Sequence, residues 1–170
     1  DRNYGETRVP CIPSVILESF SHQNFADMCL GHDPGFKFTV ARAVYKALLK
    51  QLCFLQGRDY CVQPLPVKNF AISFAEGKSV RLSWAPVEDR LEPTAAPQKY
   101  ILYTRVGDGG FDNGKIIEGT DCTVPLVDNV LYGFKVTALN DGGESFPSET
   151  LAAYYNPEAE KRVLIVNGFH

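Results

Sequence analysis

Between residues 67 and 155 the sequence breaks into seven short segments, AISFAEG, SVRLSWAP, QKYILYTRV, GKIIEG, CTVPLV, LYGFKVTAL and ETLAAYY. Gly, Pro, Asn or Asp bounds each of them. Within a segment the apolar residues alternate: Val80, Leu82 and Trp84 fall on one side, Arg81 and Ser83 on the other. Phe134, Val136 and Ala138 alternate in the same way with Lys135 and Thr137. A period of two is that of a strand with one face buried. Seven such strands in roughly 90 residues, separated by turn residues, predict an antiparallel β-sandwich.

The first third follows another period. From 36 to 55 the chain reads FKFTVARAVYKALLKQLCFL, with Val40, Ala43, Val44, Ala47, Leu48, Gln51 and Leu52 three or four apart. This predicts an amphipathic helix with Arg42, Lys46 and Lys50 on its solvated face and Gly57 as its stop. Before it, the β-branched run at 15–17 predicts a short buried strand of the kind found in helix-covered sheets. One strand and a helix in about 60 residues cannot cover both faces of a sheet, so they read as the remnant of an α/β domain. The two prolines of QPLPVKNF mark an interdomain linker. The expected organisation is therefore an α/β remnant at 1–60, a linker at 61–66 and the sandwich at 67–155. A further linker and the first strand of another domain follow at 156–170, where VLIV precedes Asn-Gly. On this reading the chain is part of a longer polypeptide.

Composition removes whole classes of partner. A net charge of -3 leaves no basic footprint for nucleic acid, and no apolar run approaches the roughly 20 residues that span a bilayer. The five cysteines, Cys11, Cys29, Cys53, Cys61 and Cys122, include no CxxC pair. They read as free thiols buried like small hydrophobes in preference to a Cys53–Cys61 bridge, and they do not fix the compartment. His22, His32 and His170 do not fall at a metal-ligand spacing, so no metal site is expected within the chain. The loop VGDGGFDNGK holds Asp108, Asp112 and Asn113, but its spacing does not match an EF-hand and it reads as a turn.

Trp84 on the second strand, Tyr100 and Tyr103 on the third, and Leu126 followed by Tyr132 resemble the fibronectin type III family. YGFKVTALN and the following GGESFPSE resemble that family's sixth strand and its turn into the seventh. The resemblance implies an immunoglobulin-like, seven-stranded sandwich whose core includes Trp84, Tyr100, Leu126 and Tyr132. Tyr132 would be the corner tyrosine, its hydroxyl bonded to nearby backbone. No RGD tripeptide is present, and a spacer or docking module is the expected role.

The run PSVILESFSHQNFAD is similar to the final strand of zinc-dependent N-acetylmuramoyl-L-alanine amidases, on Pro13, Val15, Ile16, Leu17, Glu18, Phe20, Asn24 and Asp27. Ser19 stands where that family has Gly. The resemblance implies that Glu18 is the acid/base beside a zinc-bound water, with His22 and Asn24 toward the substrate cleft. Zinc would belong to the intact parent, since the family's two histidines and glutamate come from strands that this chain does not contain. Without them Glu18 has no activated water to deprotonate, so the chain alone is expected to be inactive.

The whole arrangement resembles multidomain bacterial envelope proteins that go under the name xanthan lyase. It implies an extracytoplasmic protein acting on peptidoglycan or polysaccharide, with its own flanking domains as partners. Two functions stay open at this point: a spacer or docking module, and the remnant of a hydrolase.

Overall fold

The structure is a computed structural model and describes residues 4–165. The chain divides into two compact units, Asp1–Leu52 and Cys53–His170.

The first unit is helical. A single turn, α1 (Gly5–Arg8), precedes α2 (Phe25–His32) and α3 (Pro34–Leu55). Two local signals set α2. Asn24 accepts the Ala26 N–H at 3.0 Å as its N-cap, and Asp27 reaches back to the Ser21 N–H at 3.1 Å. For α3, the Asp33 carboxylate accepts the Gly35 N–H at 2.9 Å and Pro34 opens the helix. The helix ends where expected: Gly57 takes φ 62°, and the Gly57 and Arg58 N–H groups bond the carbonyls of Phe54 and Cys53.

The expected strand at 15–17 is not formed. That run has no ladder partner among the described residues, and Val15 and Leu17 are 84% and 59% exposed. A strand exists only through its neighbours, and none of the described residues supplies one for 15–17. The expected face of α3 is met only in part: Val40 is half-buried and Lys50 exposed as expected, but other positions differ. Arg42, Tyr45, Lys46 and Leu49 are half-buried, while Val44, Leu48 and Leu52 are exposed. With Phe36, Phe38, Tyr45, Leu49 and Phe54 added to the expected stripe, the apolar surface of the helix is much wider than one stripe, and periodicity alone does not say which part of it is covered.

The second unit is the sandwich. One sheet runs β1 (Lys68–Ala75), β2 (Ser79–Ala85), β5 (Asp121–Pro125). The other runs β4 (Lys115–Ile117), β3 (Lys99–Val106), β6 (Leu131–Asn140), with β7 (Gly143–Glu144) and β8 (Leu151–Tyr154) both on the far side of β6. Every pairing is antiparallel. Each expected segment carries a strand, but the described residues form eight strands and not seven: the two-residue β7 lies in the stretch GGESFPSE, expected as a turn. Between β7 and β8, Ser145 and Ser148 accept the Ala138 and Val136 N–H groups through their hydroxyls, at 2.9 and 3.0 Å. Pro147 between them has no N–H to give a ladder.

The alternation delivers the core. Val80, Leu82 and Trp84 meet Tyr100, Leu102, Phe134, Val136 and Ala138 between the sheets. Trp84 packs edge-on to Tyr100 at 5.5 Å and to Phe70 at 6.3 Å, and Tyr132 stacks on Phe134 at 6.0 Å. Leu126 and Tyr132 are buried with them. The Tyr132 hydroxyl accepts the Val127 N–H at 3.3 Å, the bond of a tyrosine corner.

The segment 61–66, expected as a free linker, is folded onto the sandwich: Val62 and Pro64 are fully buried. At the other end, Val163, Leu164 and Ile165 are exposed and form no strand. The remainder of that expected strand, from Val166, lies outside the described residues together with His170.

Candidate functional site

Glu18, His22 and Asn24 are all exposed, Glu18 in irregular chain and His22 in a turn. Neither Glu18 nor His22 has a hydrogen-bond or ion-pair partner among the described residues. Asn24 is occupied as the cap of α2. An open groove of about 420 Å³ in the same unit is lined by Leu17, Phe20, Phe36, Val40, Ala41 and Val44, with Lys37 the one charged lining residue. Phe20 and Phe36 meet in it at 5.1 Å. Glu18, His22 and Asn24 do not line it, and its walls carry no acid or base beyond the Lys37 ammonium. No group of three or more His, Cys, Asp or Glu side chains that could hold a metal ion occurs among the described residues.

Two polar clusters sit on the sandwich. The first lies on the outer face of the five-stranded sheet, where register places Tyr103 opposite Lys135 and Ile101 opposite Thr137. Glu144 accepts the hydroxyls of Tyr103 and Thr137, each at 2.7 Å. The bond to the Glu144 carboxylate, aided by burial, pushes the Tyr103 hydroxyl up to about 12. The Lys135 ammonium lies 5.1 Å from the Tyr103 ring and 4.4 Å from Phe111, and the Arg105 guanidinium lies 5.6 Å from Phe111 on the same face. The loop bearing Asp108, Asp112 and Asn113 is pinned here as well. The Asp112 carboxylate accepts the Thr104 and Gly114 N–H groups at 3.0 Å each, which makes it a turn device. A Cβ at Gly114 would collide with Ile101 and stand 2.9 Å from the Tyr103 ring.

The second cluster is built around Asn140, the last residue of β6, and holds the segment that leads into β1. The Asn140 amide donates to the carbonyls of Val62 (2.9 Å), Thr94 (3.0 Å) and Ala96 (3.3 Å), and its oxygen accepts the Gly142 N–H at 2.9 Å. Thr94, in the 3-10 turn Pro93–Ala95, accepts the Val62 N–H at its hydroxyl (3.2 Å) and the Cys61 thiol at its carbonyl (3.3 Å). Its hydroxyl in turn donates to the buried Glu92 at 2.9 Å. Gly142 is needed for the approach: a Cβ there would collide with the Cys61 carbonyl oxygen and lie 2.7 Å from the Val62 carbonyl carbon. At the opposite end of β6 the departing chain is held too. Tyr154 pairs with Leu131, the Asn129 N–H bonds the Tyr155 carbonyl at 2.8 Å, and the Tyr154 hydroxyl donates to Asn129 at 3.2 Å.

The sequence reading missed both clusters. Tyr103 was read for its ring and Asn140 only as the end of a strand. Asn140 meets Val62 across 78 positions, and no local pattern announces such a pair.

No family model and no curated protein matches this sequence. Solved structures do match. One is a twitchin kinase region from C. elegans described as Fn31-NL-kin-CRD-Ig26, 24% identical with a TM-score of 0.50. That match covers 59% of this chain and 18% of the twitchin chain. Domains A168–A170 of titin match at 26% identity and a TM-score of 0.46, over 54% of this chain and 32% of theirs. A structure described as FN3tt mut matches at 19% and 0.44, over 54% and 94%. The twitchin likeness is one of fold: the sandwich is of the fibronectin type III or immunoglobulin-like kind.

Proposed function

We propose that this chain is a spacer and docking module of a multidomain extracytoplasmic bacterial protein that acts on cell-wall or polysaccharide material. One observation carries the spacer part. The chain is anchored before β1 at Asn140 and after β8 beside Leu131, which are the two ends of the ten-residue strand β6. At about 3.4 Å per residue the anchors stand roughly 30 Å apart. A module held at both ends of one central strand fixes the separation of whatever precedes and follows it. The outer face with Tyr103, Phe111, Lys135 and Glu144 is the surface proposed for docking, and the partners are the flanking domains, with peptidoglycan or polysaccharide beyond them.

The test is a distance distribution between bio-orthogonal labels at Arg58 and Glu158, both exposed. A single narrow distribution is expected. A broad one, as for a coil of that length, sinks the spacer reading.

A second reading is kept for the first unit, as the tail of an amidase-like α/β domain with Glu18 as acid/base. What supports it, besides the resemblance, is that none of the described residues before Cys53 is buried, while Val15, Leu17, Leu48 and Leu52 are exposed. That is apolar surface of the kind a sheet would cover. In a polypeptide that includes the upstream strands and zinc ligands, Glu18→Gln should lower amide cleavage about 10²–10⁴-fold with zinc content unchanged. Full activity in that variant ends this reading.

A further inference from the structure

We infer that residues 61–66 form a latch that opens as a unit while both sheets stay folded, and that Asn140 sets how often it opens. This goes beyond the spacer reading and rests on it only for its consequence, a module that alternates between a fixed and a freed approach.

The two ends of the sandwich are held by different means. The departing chain is part of the sheet, with four ladder pairs from β8 to β6. No strand pairing is assigned anywhere in 58–67. The contacts of 61–66 include those of Val62 and Pro64 in the interior, a half-buried Cys61 thiol bonded to the Thr94 carbonyl, and the hydrogen bonds that converge on Asn140 and Thr94, while Val67 already belongs to the core between the sheets. None of these is a ladder bond. Lifting the segment therefore breaks no β-pairing, whereas lifting β8 breaks four pairs.

The anchor is also shared out thinly. The Asn140 amide has two hydrogens and three carbonyl acceptors, so at least one of its bonds is bifurcated at any moment. When Val62 leaves, the amide keeps the carbonyls of Thr94 and Ala96, and the Thr94 hydroxyl keeps Glu92. The Asn140 amide and the Thr94 hydroxyl thus keep hydrogen-bond partners when the segment lifts. That lowers the cost of the open state relative to any opening within the sheets.

Residue-resolved native-state hydrogen exchange on the full chain tests this. The Val62 amide should exchange through an opening nearly insensitive to low denaturant, and at least 10-fold faster than the core amides of β3 and β6. Asn140→Ala should accelerate Val62 exchange a further 10-fold or more and leave the β3 and β6 amides unchanged. Should Asn140→Ala fail to fold, Thr94→Val removes the acceptor of the Val62 N–H, together with the hydroxyl's bond to Glu92, and is expected to accelerate the Val62 amide several-fold. A Val62 amide with the same denaturant dependence as the core overturns the latch, as does a variant that accelerates all amides equally. Either result leaves the spacer reading intact, because that reading stands or falls on the distance distribution between 58 and 158.

Discussion

Residues 4–52 and residues 53–165 are made of similar material and end in different physical states. Every buried apolar residue of the described chain lies at or beyond Cys53, although the earlier stretch contributes Val9, Ile12, Val15, Leu17, Phe25, Leu48 and Leu52. The earlier stretch nonetheless has well-formed helices, capped by Asn24 and Asp33 and stopped at Gly57. Local signals are thus enough to write a helix. A core needs a second layer for the first to bury its face against, and the sandwich has that layer within its own sequence.

The largest expected effect separates the two halves outright. A chain of residues 53–165 should unfold in one cooperative transition by circular dichroism, and residues 4–52 alone should show none. A cooperative melt from the short piece would break the comparison. Starting the sandwich at Leu65 in place of Cys53 should cost about 2–4 kcal/mol, because Val62, Pro64 and the Asn140 bonds are lost. Denaturant titration of the two lengths measures it.

Next comes a paired substitution. Trp84→Ala should destabilise the sandwich by about 3–5 kcal/mol. Leu48→Ala, on an exposed position of α3, should stay within about 0.5 kcal/mol. Comparable losses from both would mean that α3 is packed as firmly as the core. Tyr132→Phe should cost about 0.5–1.5 kcal/mol for the one hydroxyl bond to Val127. Equal, negligible effects of Tyr132→Phe and Tyr132→Ala would remove the corner.

The smallest effect is a pH dependence. The Tyr103 hydroxyl is raised in the folded state from about 10 to about 12, so the folded protein holds that proton more tightly than the unfolded chain. Its contribution is fully present below pH 10 and is lost as pH rises from 10 through 12. Wild type and Tyr103→Phe should therefore converge in stability over that interval, and parallel curves would show that the Glu144 bond contributes nothing.

The sandwich was legible because alternation and turn residues are local. Val80, Leu82 and Trp84 announce their own face whatever they pair with. The tyrosine corner was legible for the same reason, since Tyr132 and Val127 are five residues apart. What was not legible depends on partners far away in sequence. Residues 15–17 have strand composition, but a strand is a relation to a neighbour and none is present among the described residues. The prolines of 61–66 suggested a linker, and Asn140 made it part of the fold. Asn24 caps α2 and Asp27 holds the Ser21 N–H, contacts that the run PSVILESFSHQNFAD does not announce by itself. The Glu18 environment was illegible for the reason that residues 15–17 were: a site built on a strand end needs the sheet first.

The edge split between β7 and β8 has a consequence for how this module tolerates company. A sandwich has four open edges, and each exposed row of peptide groups invites a strand from another molecule. Here β7 and β8 present two and four residues on either side of Pro147, and β4 presents three. The β1 edge is bulged between Lys68 and Ala71, with Asn69 at φ 55°, and β5 ends on Pro125. No edge offers a long, flat template, so copies crowded side by side on one surface should remain separate molecules and not fuse into a continuous sheet.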